Sequence, residues 1–98
     1  MIPLKINLIT ALMDLSVVIP VYNEEESLRE LTEWIAKVCT GANISYEIFL
    51  IDDGSSDSSW TRIKELASQN NSVKGIRFRR NYGKAAALHT GFSEAGGE

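Results

Sequence analysis

The chain has 98 residues, 44% of them hydrophobic and 23% charged, which fits one small domain or part of a larger one and excludes two complete enzyme domains, a disordered tract or a coiled coil. Its single cysteine, Cys39, excludes an internal disulfide and a cysteine-based zinc site and accords with a reducing, cytosolic setting. The net charge is −3, but residues 1–57 carry −7 and residues 58–98 carry +4; an acidic total, with only Phe78 and Tyr82 interleaved among the bases, argues against a nucleic-acid partner.

Residues 1–13 are largely apolar but contain Lys5 and Asn7 and stop at Asp14, well short of the ~20 residues that span a bilayer. They show no small-residue cleavage pattern of a signal peptide. Met13-Asp14-Leu15-Ser16 looks like an ordinary start before a strand. Residues 1–13 are therefore read as an N-terminal extension of no assigned role, and residues 14–98 as the domain.

Three apolar runs, Leu15 to Val21, Tyr46 to Ile51 and Val73 to Phe78, alternate with three helix-like segments. That alternation predicts a βαβαβα unit with a mainly parallel sheet. The first two runs are nearly continuous in apolar residues, as in strands covered on both faces. The third alternates Val73, Ile76 and Phe78 with Lys74, Arg77 and Arg79, which places it nearer an edge. The first helix is expected after Asn23, with Glu26 completing a capping box and Leu28, Leu31, Trp34, Ile35 and Val38 as its buried stripe, ending at Gly41. The second takes its cap from Ser55, Ser56 or Asp57 and buries Trp60, Ile63, Leu66 and Ala67. The third runs from about Gly83 to Ala95 with Ala85, Ala86, Leu88 and Phe92 available for packing. Trp34 and Trp60 read as core, Cys39 as filler, and His89, with no second histidine at ligand spacing, as a partly buried helix residue.

The sequence stops after this helix, where a doubly wound fold would continue to its next strand. A three-stranded parallel sheet has two open edges, so the expectation is either a truncated piece or a homo-oligomer that covers them.

In open α/β sheets ligands bind beyond the carboxyl ends of the strands. The segments there are Pro20-Val21-Tyr22-Asn23-Glu24-Glu25-Glu26, Asp52-Asp53-Gly54-Ser55-Ser56-Asp57 and Arg79-Arg80-Asn81-Tyr82-Gly83-Lys84. The first has no glycine and three glutamates, which rejects a glycine-fingerprint dinucleotide site. Glu25 and Glu26 read as a charged first helical turn, whereas Glu24, nearest the strand, is open to either role. Asp52 and Asp53 can accept hydrogen bonds from a ribose or a base, or hold a metal, although Asp53 and Ser55 also suit a turn that caps the next helix. A phosphoacceptor receiver domain also has paired acids, but after its first strand rather than its second. Arg79, Arg80 and Lys84 sit where a helix dipole and a cationic side chain can act on one anion, and Lys74 and Arg77 read as a solvated edge.

Taken together, Ser16-Val17-Val18-Ile19-Pro20-Val21-Tyr22-Asn23-Glu24-Glu25, Glu47-Ile48-Phe49-Leu50-Ile51-Asp52-Asp53-Gly54-Ser55-Ser56-Asp57 and Arg80-Asn81-Tyr82-Gly83-Lys84-Ala85-Ala86-Ala87-Leu88 resemble the start of the inverting family 2 glycosyltransferases. The likeness is to the polyprenyl-phosphate sugar transferases similar to dolichyl-phosphate mannose synthase. It covers residues 14 to 98 and implies the nucleotide-binding half of a nucleotide-diphospho-sugar transferase fold, GT-A and Rossmann-like. It implies a nucleoside-diphosphate sugar donor, with Pro20, Tyr22 and Glu24 around the nucleoside, Ile51, Asp52 and Asp53 at base and ribose, and Lys84 towards the phosphates. It further implies a polyprenyl-phosphate or glycan acceptor and a divalent metal, Mg or Mn, held by an Asp-x-Asp motif that this sequence lacks. The resemblance places the parent protein at the cytoplasmic face of a membrane and leaves the 98 residues inert alone, with no catalytic residue or metal ligand of their own. A non-catalytic binding or oligomerisation module is the alternative reading.

Overall fold

A computed structural model describes residues 14–94; the extension assigned to residues 1–13, and Ala95 at the expected end of the third helix, lie outside the described residues. The order is β1 (Leu15–Val21), α1 (Leu28–Gly41), β2 (Tyr46–Asp52), α2 (Ser59–Gln69), β3 (Val73–Arg77) and α3 (Lys84–Glu94). The three strands form a parallel sheet in the order β1-β2-β3. Their register sets Val21 beside Asp52 and Asp52 beside Arg77, so the three strand ends finish in one row.

Strand β2 is central and buried along almost its whole length. Its alternating side chains feed two cores. Ile48 and Leu50 join Val21, Leu28, Ile35, Cys39, Ile63, Leu66 and Val73 beneath α1 and α2. Phe49 and Ile51 meet Ala87 of α3 on the opposite face. Two helices on one face and one on the other make the three-layer arrangement, and each fully buried aliphatic of β2 contributes about 1.5–3 kcal/mol by leaving water. Strand β1 differs from expectation. It is an edge strand among the described residues, and Ser16 to Pro20 are half-buried rather than covered on both faces.

Helix α1 begins at Leu28, later than the capping-box reading places it. The reason is long-range. The Asn23 side-chain oxygen that would cap the helix instead accepts the Ser56 and Asp57 N–H groups, and the Asn23 N–H that Glu26 would satisfy in a capping box donates to the Ser55 hydroxyl at 2.9 Å, so the β2–α2 loop holds both halves of the expected cap. Asn23 adopts a left-handed φ of 55°, which Asn tolerates better than most residues. The buried stripe of α1 is Leu28, Thr32, Ile35 and Cys39. Trp34 and Val38, expected inside, are 62% and 49% exposed. Thr32 takes an interior place because its hydroxyl is satisfied by the Leu28 carbonyl at 3.0 Å.

Helix α2 has Ser58 at its N-cap position, with no side-chain cap, rather than Ser55, Ser56 or Asp57; Asp57, one residue earlier, closes a local turn in which its Oδ1 accepts the Ser59 N–H at 2.9 Å. Trp60 is half-buried against the core as expected. On α3 the buried residues are Ala87 and Gly91, four apart on one face. Ala85, His89 and Phe92 are exposed, against the packing expected of Ala85 and Phe92 and the partial burial expected of His89. Gly91 explains the orientation: a Cβ there would run into Val18 of β1, so the helix lies on the sheet through its glycine. Among the described residues no helix is long and apolar enough to cross a membrane.

Candidate functional site

The parallel register delivers the β1–α1, β2–α2 and β3–α3 loops to one rim. Asp52 and Asp53 arrive there on the most buried strand and are themselves 0% and 4% exposed. An ionised carboxylate cannot stay buried without partners, and the two acids find different ones. Asp52 Oδ1 accepts the Ser55 N–H at 3.0 Å, while its Oδ2 has no hydrogen-bond partner among the described residues and faces Nε of Arg77 at 3.9 Å. Asp53 Oδ1 accepts the Tyr82 N–H at 2.7 Å, and Oδ2 accepts the Gly83 N–H at 3.0 Å. The second acid of the pair thus ties the β3–α3 loop to the tip of β2.

Gly54 makes that contact feasible. It sits at φ 76°, and a Cβ would collide with backbone atoms of Arg80 and Asn81, so the two loops touch backbone to backbone. On the other side Asn23 does the joining. Its Oδ1 accepts the Ser56 and Asp57 N–H groups at 2.9 and 3.3 Å, and Glu25 Oε1 accepts the Ser58 N–H at 3.0 Å. All three loops are therefore laced into one surface.

Two hollows open on it. One, of about 220 Å³, lies between the end of β1 and the start of α3 and is lined by Pro20, Val21, Tyr22, Asp53, Asn81, Gly83 and Lys84. The other, of about 330 Å³, is lined by Asn23, Glu24, Glu25, Glu26, Ser27 and Asp57. In the acidic hollow the Ser59 hydroxyl, seconded by the N–H groups of Ser59 and Glu25, holds the Asp57 carboxyl below its ordinary value of 3.8.

Of the residues the sequence singles out, Pro20, Tyr22, Asp53 and Lys84 are brought together in the first hollow. Glu24 lines the second, where its Oε1 accepts the Ser27 hydroxyl at 3.0 Å. Ile51 and Asp52 are fully buried beneath the rim. Arg79 is exposed and lines neither hollow. Arg80 turns back over the Tyr82 ring, 5.2 Å from its centroid, with Nε donating to the Tyr82 hydroxyl at 3.2 Å. Sequence reasoning singled out neither Asn81 and Gly83 as lining residues nor Asn23 as the joint between loops. The Gly83-Lys84 step was visible as a glycine before a helix, whereas the role of Asn23 depends on residues 32 to 34 positions away and left no local signal.

The cleft joins an aromatic ring and a proline on one wall to a lysine at a helix N-terminus on the other. A flat apolar group can lie against the first wall, and the second favours an anion. Among the described residues no three His, Cys, Asp or Glu side chains gather to hold a metal ion.

The chain matches the profile of Glycosyl transferase family 2 over residues 16–98. It is 49% identical over 84 residues to an undecaprenyl-phosphate 4-deoxy-4-formamido-L-arabinose transferase from Proteus mirabilis (strain HI4320), an alignment covering 85% of this chain and 26% of that protein. Its fold is similar to that of the mannosyltransferase PcManGT from Pyrobaculum calidifontis, solved in complex with GDP-Man and Mn2+, with a TM-score of 0.74 and 22% identity over 86% of this chain and 25% of the other. The chain thus spans about a quarter of the length of each. Its three-stranded α/β unit is part of a GT-A fold, and the chain belongs to glycosyl transferase family 2.

Proposed function

We propose that the chain is the nucleotide-binding part of an inverting glycosyltransferase that moves a sugar from a nucleoside-diphosphate sugar to a polyprenyl phosphate at the cytoplasmic face of a membrane. The observation that carries this reading is the cleft where Pro20 and Tyr22 face Gly83 and Lys84. The names of the two similar proteins, one acting on an undecaprenyl phosphate and one bound to GDP-Man, supply the donor and acceptor classes.

In this reading the nucleoside lies against Pro20 and Tyr22, and Lys84 with the first turn of α3 meets the diphosphate. Helix N-termini and a lysine suit that role because free backbone N–H groups and a fixed cation both favour the anion. Glu24 lines the neighbouring acidic hollow rather than this cleft, so it accepts from nucleoside hydroxyls only where the ligand extends past Tyr22. Ile51 and Asp52 form the floor, acting on the nucleotide through the position of the loop above them. The acidic rim repels a bare diphosphate, so the donor needs compensating positive charge, of which Lys84 provides part.

A divalent cation, Mg or Mn, belongs to this proposal through the Mn2+ of the mannosyltransferase complex. The described residues do not form its centre: no group of three ligating side chains is present among them, and both oxygens of Asp53 already accept backbone N–H groups. No metal-dependent step is therefore assigned to these residues. The 98 residues bind the nucleotide without transferring the sugar. Among the described residues β1 and β3 are the edge strands of the sheet; self-association through them accompanies the proposal, and a strictly monomeric folded species in sedimentation would refute that part.

The test is calorimetric titration of the chain with uridine and guanosine diphosphates, with and without Mn2+. Saturable binding of one of them, weakened about tenfold by Lys84→Ala, is expected for loss of one charge-assisted contact. Binding indifferent to Lys84 would reject the placement of the diphosphate.

A further inference from the structure

Asp53 sits at the tip of the central strand with its carboxylate nearly enclosed, and both of its oxygens are directed at successive backbone N–H groups of Tyr82 and Gly83. Those residues lie outside any helix or strand, immediately before α3. The Asp53 backbone is fixed in turn by its own N–H, which donates to the Val21 carbonyl at 2.8 Å. One residue thus links the β1 wall of the cleft to the α3 wall, and the glycine beside it removes the Cβ that would hold the loops apart. We propose that Asp53 is a positioning residue: its two-pronged grip on Tyr82 and Gly83 sets the distance between the Pro20–Tyr22 wall and Lys84, and the nucleotide feels Asp53 chiefly through that distance. The inference rests on the reading of the cleft as the nucleotide site and changes the role of Asp53 within it, from a hydrogen-bond acceptor for the ligand to the clamp that shapes the pocket.

The physical reason for a carboxylate here is its capacity. Ionised, it offers acceptors at both oxygens, so it satisfies two neighbouring N–H groups at once. An asparagine of the same shape accepts at one position and points a donor at the other N–H. Because the clamp and the ligand bias the same loop, their effects must be reciprocal: what loosens the loop weakens the ligand, and the ligand must tighten the loop.

Backbone amide hydrogen exchange of the 98-residue chain, followed residue by residue by NMR with and without uridine or guanosine diphosphate, tests the clamp. It is paired with affinity measurements on Asp53→Asn and Gly54→Ala, both taken at temperatures where circular dichroism shows the variant folded. The proposal expects protected Tyr82 and Gly83 amides in the unsubstituted chain, protection about tenfold lower in Asp53→Asn, and further protection on adding the diphosphate. It also expects Gly54→Ala, which keeps the carboxylate but forces the loops apart, to weaken the nucleotide as Asp53→Asn does.

Free exchange at both amides in the unsubstituted chain overturns the proposal whatever the variants do. So does an affinity lost in Asp53→Asn but intact in a folded Gly54→Ala, which would make Asp53 a direct ligand contact. If neither diphosphate binds the unsubstituted chain, the reading of the cleft fails, and with it the positioning role, even where the amide protection shows that the clamp exists.

Discussion

Nε of Arg77 on the edge strand β3 lies 3.9 Å from Oδ2 of Asp52 at the tip of the central strand, and that oxygen accepts no hydrogen bond among the described residues. Arg77 keeps a half-exposed side chain, with its guanidinium 5.6 Å from the centroid of the Trp60 ring. The pair is therefore asymmetric: the cation is in contact with water and the carboxylate is not.

Removing the cation leaves a buried carboxylate without its countercharge. Arg77→Ala is expected to cost about 1–2 kcal/mol, less than a fully buried pair because water reaches the arginine. Arg77→Lys should recover part of the loss. Urea denaturation of the three proteins measures both effects, and an Arg77→Ala protein as stable as the parent would show that the contact contributes nothing.

Asn23 combines a left-handed backbone with a side-chain acceptor for two N–H groups. Asn23→Ala loses both and is expected to destabilise the fold by about 1–2 kcal/mol. Asn23→Gly keeps the backbone freedom and should cost less, and Asn23→Asp, which keeps the acceptor, less again. Thermal unfolding of the set gives the ranking.

Gly91 faces Val18 across the α3–sheet contact. An alanine gains up to about 1 kcal/mol of helix propensity, but the Cβ must displace a stiff β-branched side chain at a typical overpacking cost of about 1–3 kcal/mol. Gly91→Ala is therefore expected to be destabilising overall. Val18→Ala should make the same substitution tolerable. A double-mutant cycle reads the coupling directly, and simple additivity would mean that the helix moves aside freely.

Asp57 has its carboxyl held below 3.8, first by the Ser59 hydroxyl. As the pH falls, the unfolded chain takes up the proton before the folded one does. The stabilisation from this group is thus complete above the ordinary value and is lost as the pH drops through the lower folded-state value. Asp57→Asn is expected to flatten the acid limb of stability against pH and leave the slope near neutrality unchanged. Denaturation midpoints across pH 2 to 7 would show the difference, taken over a range of roughly the usual carboxylate titration.

Much of the architecture could be read from local pattern. The buried run Tyr46–Ile51 and its neighbours gave strands whose ends match to within a residue or two, and the period of Ile63 and Leu66 gave the inward face of α2. The face of α1 could not be read as well. Trp34 and Val38 fit a helical stripe by spacing, but which of several apolar stripes turns inward is decided by the sheet and α2, and they select Thr32 and Cys39. The start of α1 was obscured for a related reason: the Asn23 oxygen that would cap it locally is taken by the N–H groups of Ser56 and Asp57. At the candidate site, strand ends and helix starts marked the rim that carries Pro20, Tyr22 and Lys84, and Lys84 was legible as a cation at a helix start, whereas Pro20 and Tyr22 were singled out by the family resemblance alone. The grip of Asp53 on Tyr82 and Gly83 was not, since it joins residues 29 and 30 positions apart.

The most direct test of the nucleotide site is a residue-resolved NMR titration of the chain with uridine and guanosine diphosphates. The account predicts saturable shifts at Tyr22, Asp53, Gly83 and Lys84, lost together in a folded Tyr22→Ala, Lys84→Ala double variant. Shifts confined to Asn23–Ser27 and Asp57 in the acidic hollow, or none at saturating concentrations of either diphosphate, would contradict it.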